Sequence, residues 1–348
     1  MSAPPIQTDV LIIGAGPVGL FQVFQLGLQE ISAHVIDSQN QVGGQCTGLY
    51  PDKFIYDIPG IKSITGQALV DQLLSQIAPF ETPIHLGQLV QSVETLDKGF
   101  RVTTQTGNSF MARCVVIAAG VGAFVHKELP LADLKVLRNL QKQVFHTAPE
   151  SQDIADHALV IYGGGETAVE AALEAALKRT QKGSVTLVYR RERLEIQAPL
   201  QARLDSAISA GHLVFKAAQI TDLKTVNSHL THLILTDTQG VQSSIGCDYL
   251  VESLGLSPKL GPLLDWGLEL ERKAVKVDTE TFCTTTPGIY AVGDINTYAG
   301  KRKLILSGFH EATLAAYAIA SRIRGQENIA LEYTSASTRI HKLLGIQT

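Results

Sequence analysis

Two glycine-rich turns, each set between an apolar run and a helix-compatible stretch, constrain this chain more than any other feature. The first reads Asp9-Val-Leu-Ile-Ile-Gly14-Ala-Gly16-Pro17-Val-Gly19-Leu20. The β-branched run 10–13 predicts a buried strand, and Gly14, Gly16 and Gly19 match G-x-G-x-x-G. In that motif the first glycine makes the tight turn, the second lets the backbone approach a pyrophosphate, and the third lets helix and strand pack closely. A helix over about 18–27 offers its N-terminal amides to phosphate charge. A second strand, 34–36, ends in Asp37, about 18 residues beyond Gly19. An acid there accepts the ribose hydroxyls of an adenosine.

The second turn, Ala158-Leu-Val-Ile-Tyr-Gly163-Gly-Gly165-Glu-Thr167-Ala168, repeats the grammar as G-x-G-x-x-A, with a helix expected from Thr167 to about residue 178. Its following strand, 185–188, ends in Tyr189-Arg190-Arg191 instead of an acid, and Arg193 lies close by. A carboxylate would repel a 2′-phosphate, whereas guanidinium groups give it charge-assisted hydrogen bonds. This half is therefore expected to prefer NADP(H). Two fingerprints imply two nucleotides, and FAD with NADP(H) is the economical pair, FAD being placed on the first.

Further segments extend the FAD reading. Gln41-Val-Gly43-Gly44-Gln45-Cys46 supplies a glycine turn whose amides and Gln45 side chain reach polar cofactor atoms. The strand ending in Ala291-Val-Gly293-Asp294 places an acid where two-nucleotide flavoproteins hold the ribityl chain. The order is thus discontinuous: an FAD-binding domain from 1–123 and 284–348, and an NADP(H)-binding domain over 124–283, with crossings near 122–127 and 281–287. The expected fold class is α/β, with two Rossmann-like dinucleotide-binding domains.

With these residues in hand, the chain resembles the thioredoxin-reductase-like type of ferredoxin–NADP+ reductase over nearly its whole length. The discriminating segments are Leu49-Tyr50-Pro-Asp-Lys53 and Tyr298-Ala-Gly-Lys301. The resemblance implies that Asp37, Gln45, Tyr50, Val90, Phe124, Asp294 and Ser335 line FAD. It also implies that Tyr50 stacks on one face of the isoalloxazine. A C-terminal tail, commonly from the partner subunit of a homodimer, covers the other face. Here the tail reads Glu332-Tyr333-Thr334-Ser335-Ala-Ser-Thr338, with Tyr333 where histidine is usual. Glu195 stands where relatives often carry a third arginine. The implied reaction passes a hydride from NADPH to flavin and single electrons onward to ferredoxin or flavodoxin; the alternative is an NADPH-dependent flavoprotein reductase with another acceptor, such as another iron–sulfur protein or a small quinone. It needs no catalytic acid, base or nucleophile and no metal ligand. Ferredoxins are acidic, so a locally basic docking surface is expected. Its candidates are Lys301, Arg302, Lys303, Arg322, Arg324, Arg339 and Lys342.

Composition bounds the alternatives. The chain carries 29 Lys and Arg against 33 Asp and Glu, for a net charge of −4, which argues against a general nucleic-acid binder. No apolar run approaches the ~18 residues of a membrane span, and the N-terminal residues do not read as a secretory signal. Four cysteines are scattered with no CxxC, as expected of reduced thiols in a cytoplasmic protein. The same absence opposes a disulfide reductase, which needs a dithiol beside its flavin. No feature selects a flavin monooxygenase. A flavin-carrying redox sensor that turns over negligibly is the rival of a different class.

Overall fold

The computed structural model describes residues 4–149, 154–180 and 182–346. The first turn lies where the sequence places it, after β1 (Ile6–Ile13) and before α1 (Pro17–Leu28). The chain continues through β2 (Ala33–Ile36), the short α2 (Gln45–Gly48), α3 (Gly66–Ile77) and β3 (Ile84–His85). A meander follows: β4 (Val90–Leu96), β5 (Gly99–Thr104) and β6 (Ser109–Ile117). These strands form a sheet in the order β3-β2-β1-β6-β5-β4. β1 is parallel to both β2 and β6, with Ile13 opposite Ile36 and Ile117.

β1 reads as a continuous apolar run because both faces of its sheet are covered. Val10 and Ile12 face a core that includes Leu20 and Val23 of α1 and Leu69 and Val70 of α3. Leu11 and Ile13 face the opposite core, with Ile36, Val115 and Ile117.

A second compact unit spans 125–257. Its labelled elements are β7 (Val144–Phe145), β8 (Ala158–Tyr162), α4 (Glu166–Lys178), β9 (Ser184–Tyr189) and α5 (Ala198–Ser209). The long β10 (Val214–Val226), β11 (His229–Asp237), β12 (Gln242–Gly246) and β13 (Tyr249–Glu252) complete it. The sheet order is β7-β13-β8-β9-β10-β11-β12. Its first five strands are parallel, and β10 to β12 form an antiparallel extension. Leu159 and Ile161 pack against Val169, Ala172 and Leu173 of α4, while Val160 and Tyr162 belong to the core on the other face.

The first unit resumes at residue 258. β14 (Ile289–Ala291) pairs in parallel with the C-terminal half of β6, Ala291 opposite Ile117. α6 (Ile305–Arg324) and the short α7 (Thr338–Leu343) follow, and Ala315, Ala316 and Ile319 of α6 join the helical core. The first crossing falls at 124/125. The return falls at 257/258, not near 281–287. The reason is packing: Leu263, Leu268 and Val275 fill the sheet face opposite the helices, against Leu11, Ile36 and Val115. Among the described residues no helix is long and apolar enough to cross a membrane.

Candidate functional site

In an open parallel sheet, ligands bind beyond the carboxyl ends of the strands. In the first unit four such ends converge. β1 delivers Gly14, β2 delivers Asp37, β6 delivers Ala118 and β14 leads to Gly293 and Asp294. All of them line one cleft of about 300 Å³. Gly14, Gly16, Pro17, Asp37, Gly44, Gln45, Tyr50, Val90 and Asp294, all expected from the sequence, are part of that lining.

The turn explains its own glycines. Gly14 has φ of +116°, and a Cβ there would sit 2.3 Å from the Ala118 carbonyl oxygen. A Cβ on Gly19 would sit 1.9 Å from the Gly14 oxygen, so the helix is seated directly on the turn. Gly16 differs, because a Cβ there would meet nothing within 4 Å. Its bare backbone faces open cleft. Gly16 is also the N-cap of α1, and no side chain caps that helix. Orphan amides of a helix N-terminus beside open space are a seat for phosphate.

Asp37 is 8% exposed, and its two oxygens are already oriented. Oδ2 accepts from the Ala15 amide at 2.7 Å and Oδ1 from the Gln39 amide at 2.8 Å. Burial pushes the carboxyl above its usual range, and the two amides act against that shift. Each oxygen keeps lone-pair capacity for a further donor. Across the cleft, Gln45 Nε2 donates to Asp294 Oδ2 at 3.2 Å. Half-buried Tyr50 takes the Cys46 thiol on its hydroxyl at 3.7 Å. Burial, and then Cys46, push the Tyr50 phenol upward, so it remains protonated.

The turn carrying Asp294 is held from beneath. The Gly293 amide donates to Glu311 Oε2 at 2.7 Å, and Lys301 Nζ donates to the Gly293 carbonyl at 2.9 Å. Glu311 and Lys301 form an ion pair, with side chains 0% and 7% exposed. Asn296 and Tyr298 complete the shell at 2.8 and 2.9 Å from Glu311. Burial lowers the Lys301 ammonium, and Glu311 opposes that shift. Lys301 is therefore internal and leaves the set of expected docking charges. Arg324 and Arg339 are also engaged, Arg324 with the Gln29 carbonyl and Arg339 with Glu30 and Glu332.

Sequence reading missed the far wall. Leu260, Pro262, Leu263 and Trp266 line the cleft, and Trp266 Nε1 donates to the Gln91 carbonyl at 3.4 Å. The signal in the sequence is limited to scattered apolar residues, Leu260, Leu263, Trp266 and Leu268, among Gly, Pro and Asp. Ser335 is exposed and does not appear in the cleft lining among the described residues. The Phe124 side chain lies outside the described residues.

The polar and apolar inventory fits a flavin dinucleotide. An open glycine and free helix amides suit a pyrophosphate, acids stand beyond β2 and β14, and aromatic and aliphatic walls suit a ring system. The second unit repeats the glycine turn and the uncapped helix N-terminus. A Cβ on Gly163 would lie 2.2 Å from the Ser253 carbonyl oxygen, whereas one on Gly165 would meet nothing. Gly165 is the N-cap of α4 without a side-chain cap, and Thr167 is exposed in its first turn. Arg190 and Arg191 are exposed at the end of β9. Arg191 pairs with Glu195 at 2.6 Å.

The four cysteines are free, and burial raises each thiol, Cys114 to about 11. These are protonated thiols, not poised nucleophiles.

Comparison with known proteins agrees with this geometry. Residues 8–320 match the family model of the pyridine nucleotide-disulphide oxidoreductases. The chain is 47% identical over 347 residues to a ferredoxin--NADP reductase of Verminephrobacter eiseniae, covering 98% of this chain and 97% of that one. It is 46% identical over 346 residues to a ferredoxin--NADP reductase of Albidiferax ferrireducens, covering 99% and 97%. Among solved structures it is similar in fold to a thioredoxin reductase of T. acidophilum. The TM-score is 0.55 at 23% identity, covering 91% of this chain and 99% of that one. The chain thus belongs to the pyridine nucleotide-disulphide oxidoreductase family and, within it, to the ferredoxin--NADP reductases.

Proposed function

We propose that the protein is a ferredoxin–NADP+ reductase that holds FAD in the 1–124/258–348 unit and NADP(H) in the 125–257 unit. The observation that carries the reading is the convergence of Gly14, Asp37, Gln45 and Asp294 on one cleft whose glycine turn is repeated in a second, arginine-bearing unit. When bound, FAD accepts a hydride from NADPH and releases electrons singly to a protein acceptor.

The chain's own residues bind, orient and exclude water. Gly16 and the α1 amides receive the pyrophosphate, and Asp37 accepts the adenosine ribose hydroxyls. Asp294, steadied by Gln45, receives the ribityl chain. Tyr50 keeps its phenolic proton and offers a flat face to the ring. Val90 and Trp266 supply apolar wall on the Asp37 side of the cleft, where the Gln88 amide donates to the Asp37 carbonyl. Gly163, Gly165 and Thr167 seat the second pyrophosphate, and Arg190 with Arg191 takes the 2′-phosphate. No residue is asked to move a proton.

The acceptor is ferredoxin or flavodoxin, both of which call for exposed cations near the flavin. Arg302 and Lys303 are exposed, and Lys303 lines the cleft. The tail 331–336 is exposed and outside its own chain's cleft, which supports a homodimer in which Ser335 and Tyr333 reach the partner's flavin. Four free, protonated cysteines without CxxC support a cytoplasmic protein and oppose a disulfide-reducing role.

The test is anaerobic mixing of the yellow holoprotein with NADPH and a low-potential ferredoxin. Rapid ferredoxin reduction that favours NADPH over NADH is expected. Flavin bleaching without ferredoxin reduction would overturn the acceptor assignment, and slow bleaching by both nucleotides would overturn the second unit's.

A further inference from the structure

Selecting a 2′-phosphate requires cations without a competing acid. The second unit does not meet that condition cleanly. Glu195 Oε1 accepts from Arg191 Nη1 at 2.6 Å and from the Tyr189 hydroxyl at 3.0 Å. The backbone locks this acid in place. The Glu195 amide donates to the Gly164 carbonyl at 2.9 Å, and Glu195 forms a strand bridge with Gly165. Tyr189 in turn covers Gly164, since a Cβ there would lie 2.4 Å from its ring. Glu195 is therefore stapled to the same glycine turn that opens at the α4 N-terminus, beside the residues that end β9.

Two consequences follow from charge and valence. Arg191 enters binding already partnered, while Arg190 and Arg193 make no ion pair or hydrogen bond among the described residues. Oε2 of Glu195 has no hydrogen-bond partner among the described residues. A free carboxylate oxygen accepts a ribose hydroxyl but repels a phosphate.

We propose that Glu195 is a specificity-determining residue that narrows the discrimination between NADPH and NADH. It offsets Arg191 against the 2′-phosphate and offers Oε2 to a 2′-hydroxyl. This rests on the reading of 125–257 as the nicotinamide-nucleotide unit. The side chains of the pair are 57% and 63% exposed, so solvent screens the effect. A dianion several ångströms from one carboxylate in water-like surroundings loses about three- to tenfold in affinity.

The test is calorimetric titration of the full-length holoprotein with 2′,5′-ADP and with 5′-AMP, which reads binding without turnover. Glu195→Gln is expected to raise the preference for 2′,5′-ADP about three- to tenfold over wild type. Glu195→Ala, which also removes the acceptor, is expected to raise it further by weakening 5′-AMP. An unchanged or reduced preference in both variants would overturn the proposal and make Glu195 an orienting partner of Arg191. If neither ligand binds wild type, and Arg190→Ala changes nothing, the nucleotide reading falls and the proposal with it.

Discussion

Lys301 and Glu311 form a buried ion pair that grips Gly293 from both sides, Glu311 on its amide and Lys301 on its carbonyl. Removing one partner of such a pair strands the other's charge, at a cost of about 3–5 kcal/mol. Glu311→Ala should therefore lower stability by about that amount in urea unfolding. Replacing both charges, with Lys301→Met and Glu311→Leu together, should recover much of the stability. Flavin retention should not recover, because the Gly293 amide still lacks its acceptor. Full recovery of both would show that the pair does not position the Asp294 turn.

Gly14 and Gly16 separate folding from binding. Gly14→Ala places a methyl carbon against the Ala118 carbonyl at positive φ, so the apoprotein itself should be destabilised. Gly16→Ala meets no protein atom. Its apoprotein should melt like wild type, yet purify colourless. Thermal unfolding of apoproteins beside flavin absorbance checks both. A yellow Gly16→Ala protein would remove that glycine from the pyrophosphate site.

Asp37→Ala should lower flavin occupancy and leave the buried Ala15 amide without its acceptor. Each buried donor left unpaired costs about 1–3 kcal/mol. Fluorescence of released flavin after gel filtration measures the loss. Unchanged occupancy would contradict the ribose role.

Arg190 and Arg191 are not equivalent, because only Arg191 is paired with Glu195. Hydrogen bonds to charged groups contribute about 1.5–3 kcal/mol, so Arg190→Ala should raise the KM for NADPH by about tenfold or more. Arg191→Ala should raise it less, and neither should much alter the KM for NADH. Equal effects on both nucleotides would contradict 2′-phosphate recognition.

His34 and His85 stack at 5.2 Å, with ring nitrogens 3.0 Å apart. Burial pulls both below the ordinary imidazole value of 6.5, and the charge of His85 lowers His34 further. Between the lowered values and 6.5 the native state binds fewer protons than the unfolded chain. Stability therefore rises with pH through that interval and is lost on acidification. Wild type should lose more Tm between about pH 7 and pH 5 than a His34→Gln/His85→Gln protein. Equal losses would exclude the pair as a source of acid sensitivity.

Local features were the most legible ones. The two strand–turn–helix units could be read because glycine spacing, apolar runs and the terminal acid or arginines lie within about 30 residues of one another. Gln45 and Asp294 each stand out in a local pattern, yet only the folded chain shows them bonded across the cleft. The return crossing at 257/258 is not legible in the sequence, because Leu263, Leu268 and Val275 choose their unit by packing on a distant sheet face, which no local pattern encodes. Lys301 reads as a surface charge in the sequence because it opens the basic run Lys301-Arg302-Lys303. Its partner, Glu311, lies in the middle of an amphipathic helix, where an acid ordinarily reads as solvent-facing.

The most direct test of the whole account is an electron count. Limiting NADPH is added anaerobically to catalytic holoprotein with excess oxidised ferredoxin, and reduced ferredoxin and free thiols are measured together. A hydride carries two electrons, so about two ferredoxins should be reduced per NADPH, with no new thiols. NADPH consumed with new thiols and no reduced ferredoxin would contradict the assignment.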